Sequence, residues 1–315
     1  MLFYDNWCRY ELFEDGLHVH SFLTIDDIER IRSTSLEVIS KNATKIASNY
    51  LGKNPVLCLS GGIDSQAMVG LWDKDIPYTA VIFQFENNLN EEEVEDAVNF
   101  AKSRNVPFKI IKSNVLRFLT HDLIDFARYH NISSPQFATY SYYICKLKDL
   151  GYTGVAMGGN SFVIYNNWVL FASSKAQLTD IENFSLKSKI PCIQTFLGFY
   201  KDLCVKIALN CGTIRENTSE DRYVNKIDNY KRLNLDISPQ LSKRTGFEQL
   251  QKYYNQDRYE GAFEIDFRAP LYYYNKNFQS LTFMNPKVQD FIIENSRRLN
   301  FEKYGSAQTW YNYVP

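Results

Sequence analysis

Short apolar runs separated by amphipathic stretches dominate the first half of the chain. Four continuous apolar segments, each typical of a strand buried on both faces, lie at residues 55–60, 78–85, 107–113 and 152–160. Residues 89–105, between the second and third of these segments, show helical periodicity instead. The alternation predicts an α/β fold with a Rossmann-like, mostly parallel sheet flanked by helices.

The N-terminal residues follow two other patterns. Residues 10–22 alternate around Asp15 and Gly16, which predicts a β-hairpin. Apolar residues then recur at helical spacing over residues 24–50, which predicts one long helix that ends near Gly52.

The second half of the chain has a different texture. Residues 162–173 predict two short strands about an Asn-Asn turn. Beyond residue 176, short helical patches and many Tyr and Phe residues predict a smaller, mostly helical region. We therefore divide the chain into an N-terminal hairpin and helix (1–52), an α/β domain (53–175) and a C-terminal domain (176–315).

Composition narrows the class of protein. Hydrophobic residues make up 45% and charged residues 23% of the 315, a profile typical of a globular protein. The net charge of -1 argues against a broad nucleic-acid footprint, so we regard nucleic acid as an unlikely partner. No apolar run approaches the ~18 residues of a membrane helix, and the first residues lack a signal-peptide pattern. We expect a cytoplasmic protein with no membrane partner.

Three patterns that resemble metal or disulfide sites have simpler interpretations. The six cysteines form no Cys-x-x-Cys pair, which argues against zinc and against a disulfide framework. His18 and His20 share one face of a predicted strand, but no third ligand is nearby in sequence. The acids at 91–93 begin a predicted helix, where the macrodipole favours negative charge.

The stretch Ser60-Gly61-Gly62-Ile63-Asp64-Ser65 joins a predicted strand to a predicted helix. Ligands of open α/β sheets bind at the carboxyl ends of the strands, where this stretch lies. The backbone N–H groups of the glycines and the helix N-terminus would form an anion cradle, with hydroxyl donors from Ser60 and Ser65. Asp64 would repel an anion unless a divalent cation intervened, so the charge itself implies Mg²⁺.

This stretch resembles the signature of the PP-loop ATP pyrophosphatases. The resemblance implies a HUP-type fold in which residues 53–175 bind ATP and Mg²⁺, with Asp64 as the metal ligand. It further implies cleavage of ATP between its α and β phosphates, with the departing pyrophosphate held at 60–65. Backbone groups near Leu59, Phe83 and Phe85 would then read the edge of the adenine.

Within that superfamily the chain looks most like the synthetase domain of asparagine synthetase. Gly158 and Gly159 match that branch's glycine pair near the pyrophosphate, although Asn160 stands where acids are expected. Residues 133–147 occupy the place of a helix that faces the substrate, but Ser134 as a helix cap explains the same stretch equally well.

Two segments of the C-terminal domain resemble catalytic segments of the same branch. Lys243, within 241–249, matches a lysine near the phosphates, and Arg268, within 264–273, matches the arginine of an Arg-x-Pro segment. The two segments occur here in the opposite order from that in the family. For residues 243–244 the alternative interpretation is a pair of basic residues on the surface. The resemblance implies that Lys243 or Arg268 stabilises the transition state.

The resulting hypothesis is an AMP-forming ligase that adenylates a small carboxylate and passes the acyl group to ammonia or another amine. Only about 54 residues precede the glycine turn, too few for a glutaminase domain. Ammonia would therefore come from another source, such as a partner subunit, or the nucleophile would be a different amine or a sulfur. The partner would be such a subunit or a second copy of the chain in a homo-oligomer. Two alternatives stay open: a PP-loop enzyme that modifies tRNA or a deazapurine, and a non-catalytic ATP- or AMP-binding module.

Overall fold

The computed structural model describes most of the chain up to residue 240. The described residues are 4–13, 16–21, 25–132, 134–159, 163–165, 168–170, 175–210, 219–240, 250, 253 and 282–283. Within them, no helix is both long enough and apolar enough to cross a membrane.

A five-stranded parallel sheet forms the centre of the molecule, as the sequence predicts. Its strands are β3 (Pro55–Cys58), β4 (Thr79–Phe85), β5 (Phe108–Ser113), β6 (Gly154–Met157) and β9 (Cys192–Ile193). Their spatial order is β5-β4-β3-β6-β9, and every neighbouring pair is parallel. Strands β3, β4 and β5 thus extend the sheet in one direction. The chain then crosses back, and β6 and β9 extend the sheet on the other side of β3.

Helices cover both faces of this sheet. They are α1 (Ile25–Ser33), α2 (Leu36–Leu51), α3 (Ile63–Leu71), α4 (Glu91–Ser103), α5 (Val115–Arg117), α6 (Leu123–His130), α7 (Pro135–Asp149), α8 (Lys175–Ser188), α9 (Phe196–Phe199), α10 (Lys201–Leu209) and α11 (Ser219–Arg232). One apolar core joins the sheet to α2, α3, α4 and α10, and a second joins it to α6, α7 and α8. Along β3, β4 and β6, successive side chains enter the two cores in turn, which is why these strands read as apolar runs.

The predicted long helix over 24–50 is wrong in one respect, because the structure divides it into α1 and α2. Ser33, Thr34 and Ser35 lie at the break. The hydroxyls of Ser33 and Thr34 donate to the carbonyl of Arg30, and Ser35 caps α2 by accepting from the N–H of Val38. Such local hydrogen bonds compete with the helical ladder and favour a cap over a continuous helix. The predicted stop at Gly52 is confirmed, with φ at 90°.

The described residues form two further small sheets. Strands β1 (Cys8–Phe13) and β2 (Gly16–Ser21) form the predicted hairpin, and β10 (Thr282–Phe283) pairs with β2 in parallel. Strands β7 (Val163–Tyr165) and β8 (Trp168–Leu170) form the antiparallel pair that the sequence predicts over 162–173. Strand β9 lies beyond residue 175, so the central sheet draws on chain from both sides of the predicted domain boundary.

Candidate functional site

The glycine turn at 60–65 lies at the point where the strand order reverses. It follows β3, and the neighbouring β6 belongs to the half of the sheet that grows in the other direction. Loops that leave adjacent strands on opposite sides open a crevice at this position, and ligands of open α/β sheets bind there. The fold therefore places the predicted anion cradle in the crevice that an α/β sheet offers to a ligand.

Serine hydroxyls hold the turn in shape. The N–H of Ser60 donates to Oγ of Ser65 at 3.0 Å, and the N–H of Gly62 donates to Oγ of Ser60 at 3.2 Å. Oγ of Ser65 also lies 2.8 Å from the carbonyl oxygen of Gly62, its nearest acceptor. Ser65 is buried, at 7% exposure. Both predicted hydroxyl donors thus have a structural use in the turn that the sequence did not reveal.

Helix α3 begins directly at this turn. Gly62 occupies the N-cap position without a side-chain cap, and the first intrahelical bond runs from the N–H of Gln66 to the carbonyl of Gly62. The N–H groups of Ile63, Asp64 and Ser65 therefore have no acceptor within the helix. Together with the helix dipole they provide a positive surface for an anion.

Gly158 and Gly159 have different surroundings. A Cβ atom on Gly158 would lie 2.5 Å from the carbonyl oxygen of Asp64, and equally close to N and Cα of Ser65. A Cβ on Gly159 would meet only ordinary contacts, at 3.5 Å from Gln194 and Thr195. The first glycine is therefore required where the end of β6 packs against the first turn of α3. The second is not required by its described neighbours.

Helix α11 supplies two partners to the carboxylate of Asp64. Nζ of Lys226 lies 2.9 Å from Oδ2, and Oη of Tyr230 donates to Oδ1 at 2.6 Å. Lys226 and Tyr230 are one helical turn apart and lie on the same face of α11. The ion pair is largely shielded, with the side chains of Lys226 and Asp64 22% and 27% exposed. Neither Lys226 nor Tyr230 was identified from the sequence.

A second link from the same region reaches the turn through Gln66. Its Nε2 donates to the carbonyls of Gly61 and Ser238, at 3.0 and 3.1 Å, and its Oε1 accepts from the N–H of Ser238 at 2.6 Å. Gly61 also packs against Gln240, whose Nε2 lies 2.5 Å from the position of a Cβ on Gly61. The chain at 226–240 therefore contacts the turn at three places.

Replacing Gln66 by leucine is expected to loosen this link. Gln66 is fully buried, and the change removes the amide that bonds the carbonyls of Gly61 and Ser238 and the N–H of Ser238. We expect the free energy of unfolding to fall by about 2–3 kcal/mol, as measured by urea denaturation. Gln84→Leu is the matched control, because Gln84 makes one exposed bond, to Asn88. An equal loss in both variants would contradict the assigned role of Gln66.

The side chain of Asn90, which was not identified from the sequence, hydrogen-bonds the backbone at the end of β4. The amide of Asn90 donates to the carbonyl of Phe83 at 2.9 Å and accepts from the N–H of Phe85 at 2.8 Å. The N–H of Leu59 donates to Val81 within the sheet. These three backbone groups of Leu59, Phe83 and Phe85 are therefore engaged in the protein, and adenine recognition by other groups near them stays a prediction.

Gln194 follows β9 and carries a buried amide. The residue is 5% exposed, and among the described residues neither Oε1 nor Nε2 has a hydrogen-bond partner. The next residue, Thr195, forms a bridge to Gly158, so Gln194 lies one residue from the glycine that packs on α3. Burial of an unsatisfied amide costs free energy, which marks Gln194 as a candidate ligand contact.

Burial makes the described thiols near the sheet weak nucleophiles. It raises the pKa of Cys58, in β3, and of Cys192, in β9, to about 12. It also raises the pKa of Cys145, in α7. Because the thiolate is the reactive form, these three cysteines are protonated at neutral pH and are poorly suited to sulfur transfer.

Several predicted residues lie outside the described part of the chain. They are Lys243, Arg268 and Asn160, together with the segments 241–249 and 264–273. Ser134, by contrast, caps α7 by accepting from the N–H of Phe137 at 3.4 Å, which supports the structural interpretation of that stretch. Glu91 and Glu92 are exposed in the first turn of α4, as expected for a solvated helix start.

The residues present fit magnesium bound together with a polyphosphate. Magnesium uses one or two protein carboxylates and completes its shell with phosphate oxygens and water. Within the described ranges no three metal-binding side chains cluster, so Asp64 would act without a dedicated protein cage. Gly158 allows the chain to approach α3 closely, and the first turn of α3 presents its N–H groups to the anion.

Comparison with known proteins gives likenesses in structure only. No family model matches the chain, and no curated protein matches its sequence. NMN synthetase from Francisella tularensis aligns at 15% identity and a TM-score of 0.36, covering 88% of this chain and 94% of that one. NH3-dependent NAD synthetase from Campylobacter jejuni aligns at 14% and 0.34, covering 86% and 93%. The U34-tRNA thiolase NcsA from Methanococcus maripaludis aligns at 13% and 0.34, covering 84% and 80%. At these TM-scores the likenesses carry no argument about function.

Proposed function

We propose that this protein is a PP-loop ATP pyrophosphatase that adenylates a small carboxylate and passes its acyl group to an amine. One observation carries the proposal: the Ser-Gly-Gly-Ile-Asp-Ser turn opens α3 at the switch point of a parallel sheet, with Gly158 packed on its first helical turn. That arrangement offers backbone N–H groups and a helix dipole to the phosphates.

The reaction requires two displacements. A carboxylate oxygen of the acceptor attacks the α-phosphorus of ATP, the bond from that phosphorus to the bridging oxygen breaks, and pyrophosphate leaves with the electron pair. The amine then attacks the acyl carbon, AMP leaves, and the proton of the amine passes to solvent. Magnesium at Asp64 would neutralise phosphate charge during the first displacement.

The protein's own groups act mainly by position and charge. In the proposed arrangement the N–H groups of Ile63, Asp64 and Ser65, in the first turn of α3, stabilise the negative charge that grows on the departing pyrophosphate. The serine hydroxyls and Gln66 hold that turn rigid, so that little reorganisation is needed as the charge develops. Asp64 would hold the metal ion, and the acceptor would bind beside the unsatisfied amide of Gln194, which follows β9.

The state of the cysteines favours acyl transfer over thiolation. The three thiols whose pKa burial raises are unsuited to carry sulfur, although Cys8, Cys204 and Cys211 are not described in this respect. A ligase needs no thiolate, because ATP supplies the activation and an amine supplies the nucleophile.

Gln194 provides a test of where the acceptor binds. In the proposed arrangement its unsatisfied amide hydrogen-bonds the acceptor, so Gln194→Leu should raise the acceptor concentration for half-maximal pyrophosphate release by roughly tenfold. Nucleotide affinity and stability should not fall, since the variant removes a buried polar group with no partner among the described residues. A loss of nucleotide affinity would place Gln194 elsewhere in the site.

Direct measurement of the products tests the function itself. Purified protein is incubated with Mg-ATP, ammonium and a panel of amino acids, small carboxylates and tRNA, and ³¹P NMR follows the phosphorus products. Acceptor-dependent release of AMP and pyrophosphate in equal amounts is the expected result. Release of ADP and phosphate would overturn the proposal, and a response to tRNA alone would favour the base-modifying alternative.

A further inference from the structure

Asp64 has two competing uses. The proposed function assigns its carboxylate to magnesium, yet in this structure one oxygen is paired with Lys226 and the other accepts from Tyr230. A lysine ammonium within 3 Å of the carboxylate already neutralises the charge that would attract a divalent ion. Any reconciliation of these two uses rests on the proposed function.

A metal ion cannot simply be added to the ion pair. A divalent cation at Asp64 would lie beside the ammonium of Lys226, and two cations in a partly shielded site repel each other strongly. If Lys226 were displaced from Asp64 without a new anion in its place, the partly shielded ion pair between the two side chains would be lost. Magnesium alone therefore meets both a repulsion and the loss of an ion pair.

A polyphosphate removes both obstacles. It supplies the anion that Lys226 needs after it leaves Asp64, and its oxygens separate the ammonium from the metal ion. Nucleotide without metal is also disfavoured, because the phosphates would approach the uncovered carboxylate of Asp64. The metal ion and the nucleotide thus each remove the obstacle to binding of the other.

We propose that Lys226 exchanges Asp64 for the phosphate chain when Mg-ATP binds, so that metal and nucleotide enter the site only as a unit. Helix α11 is then part of the nucleotide site, and Lys226 contacts the pyrophosphate portion. This gives Lys226 the role that the sequence assigned to Lys243 or Arg268. Tyr230 positions Asp64 through its remaining oxygen and keeps the carboxylate in place during the exchange.

The exchange predicts that one substitution changes two affinities in opposite directions. In Lys226→Met, Asp64 loses its cation, so the affinity of the free protein for Mn²⁺, used as a spectroscopic probe for Mg²⁺, should rise roughly tenfold. The affinity for magnesium and α,β-methylene-ATP, whose α–β bridge is not cleaved, should fall by a similar factor. Electron paramagnetic resonance measures the first affinity and calorimetry the second. Neither requires turnover.

Two further variants keep the test independent of folding. Lys226→Arg retains the charge and should leave Mn²⁺ affinity low, whereas Lys231→Met removes an exposed charge from the same helix and should change neither affinity. Circular dichroism establishes that each variant is folded. If Lys226→Met is unfolded, Lys226→Arg and Tyr230→Phe decide. The Lys226→Arg variant should keep both affinities near those of the wild type. The Tyr230→Phe variant should bind Mg-nucleotide more weakly while its Mn²⁺ affinity stays low.

The outcomes separate the exchange from the proposed function. A fall in both affinities, or a change in neither, in folded Lys226→Met would overturn the exchange while leaving the proposed function standing. The exchange is likewise overturned if Lys226→Met is unfolded and Tyr230→Phe leaves nucleotide affinity unchanged. Wild-type protein that binds no Mg-nucleotide would overturn the proposed function and the exchange together. Opposite changes, absent in Lys231→Met, support the exchange.

Discussion

Asp64→Asn is expected to lower the rate of acceptor-dependent pyrophosphate release by about 10³-fold, the size of effect seen when one preorganised charge-stabilising group is removed from an active site. The asparagine keeps the shape of the side chain and an oxygen that can accept from Tyr230, but it loses the negative charge that would hold the metal ion in the proposed site. Because the pair with Lys226 is partly exposed, we expect stability to change by no more than about 1 kcal/mol. ³¹P NMR measures the rate, and urea denaturation the stability.

Asp75→Asn provides the matched control. Asp75 is an exposed aspartate in the connection between α3 and β4, so it has the same side chain as Asp64 but lies outside the candidate site. The control should retain wild-type rates and the wild-type dependence on magnesium concentration. Undiminished pyrophosphate release by Asp64→Asn would remove Asp64 from the metal site and would leave the turn at 60–65 with only a structural role.

The part of the site that could be predicted from sequence is the part encoded locally. A buried strand, two glycines and a helix start lie within a few residues of one another, so periodicity and turn chemistry are sufficient to place 60–65 at the end of β3. The same reasoning located all four longer strands of the sheet, but it missed the break at 33–35, where hydroxyl side chains interrupt a helix.

The groups that complete the site come from far along the chain and carry no local signal. Lys226 is 162 residues from Asp64, and in sequence it is one of two lysines on an amphipathic helix. Its spacing of four from Tyr230 indicates a shared helical face, but nothing in the sequence says what that face contacts. The role of Asn90 could not be predicted from the sequence either. An asparagine before a helix predicts a side-chain cap, but here the side-chain amide hydrogen-bonds the backbone of β4 instead.

Strand β9 is a strand of the central sheet that the sequence did not predict. With two residues in the ladder it is too short to produce an alternating or continuous apolar pattern. Its place is fixed by packing, because it extends the sheet beyond β6 and brings Gln194 and Thr195 beside Gly158. A contact of this kind depends on the tertiary fold, and the local sequence cannot reveal it.

Gly158→Ala is expected to destabilise the protein by about 3 kcal/mol, the upper part of the range for inserting a methyl group into a packed interior. All three atoms that the new Cβ would meet at 2.5 Å belong to the backbone of Asp64 and Ser65, so no side-chain rotation can relieve the clash. The end of β6 and the first turn of α3 must separate instead. Affinity for magnesium and α,β-methylene-ATP should therefore be lost along with stability.

Gly159→Ala distinguishes this effect from a general intolerance of substitution in the loop. Neither glycine has a positive φ, so alanine meets no backbone strain at either position, and at 159 the new Cβ makes only contacts of 3.5 Å. By restricting the unfolded chain, Gly159→Ala should be neutral or stabilise the protein by up to about 1 kcal/mol. Equal losses at both positions, by urea denaturation, would mean that the loop as a whole is rigid. A selective loss of stability at Gly158, accompanied by loss of nucleotide affinity, would mean that the close approach of β6 to α3 builds the proposed phosphate site.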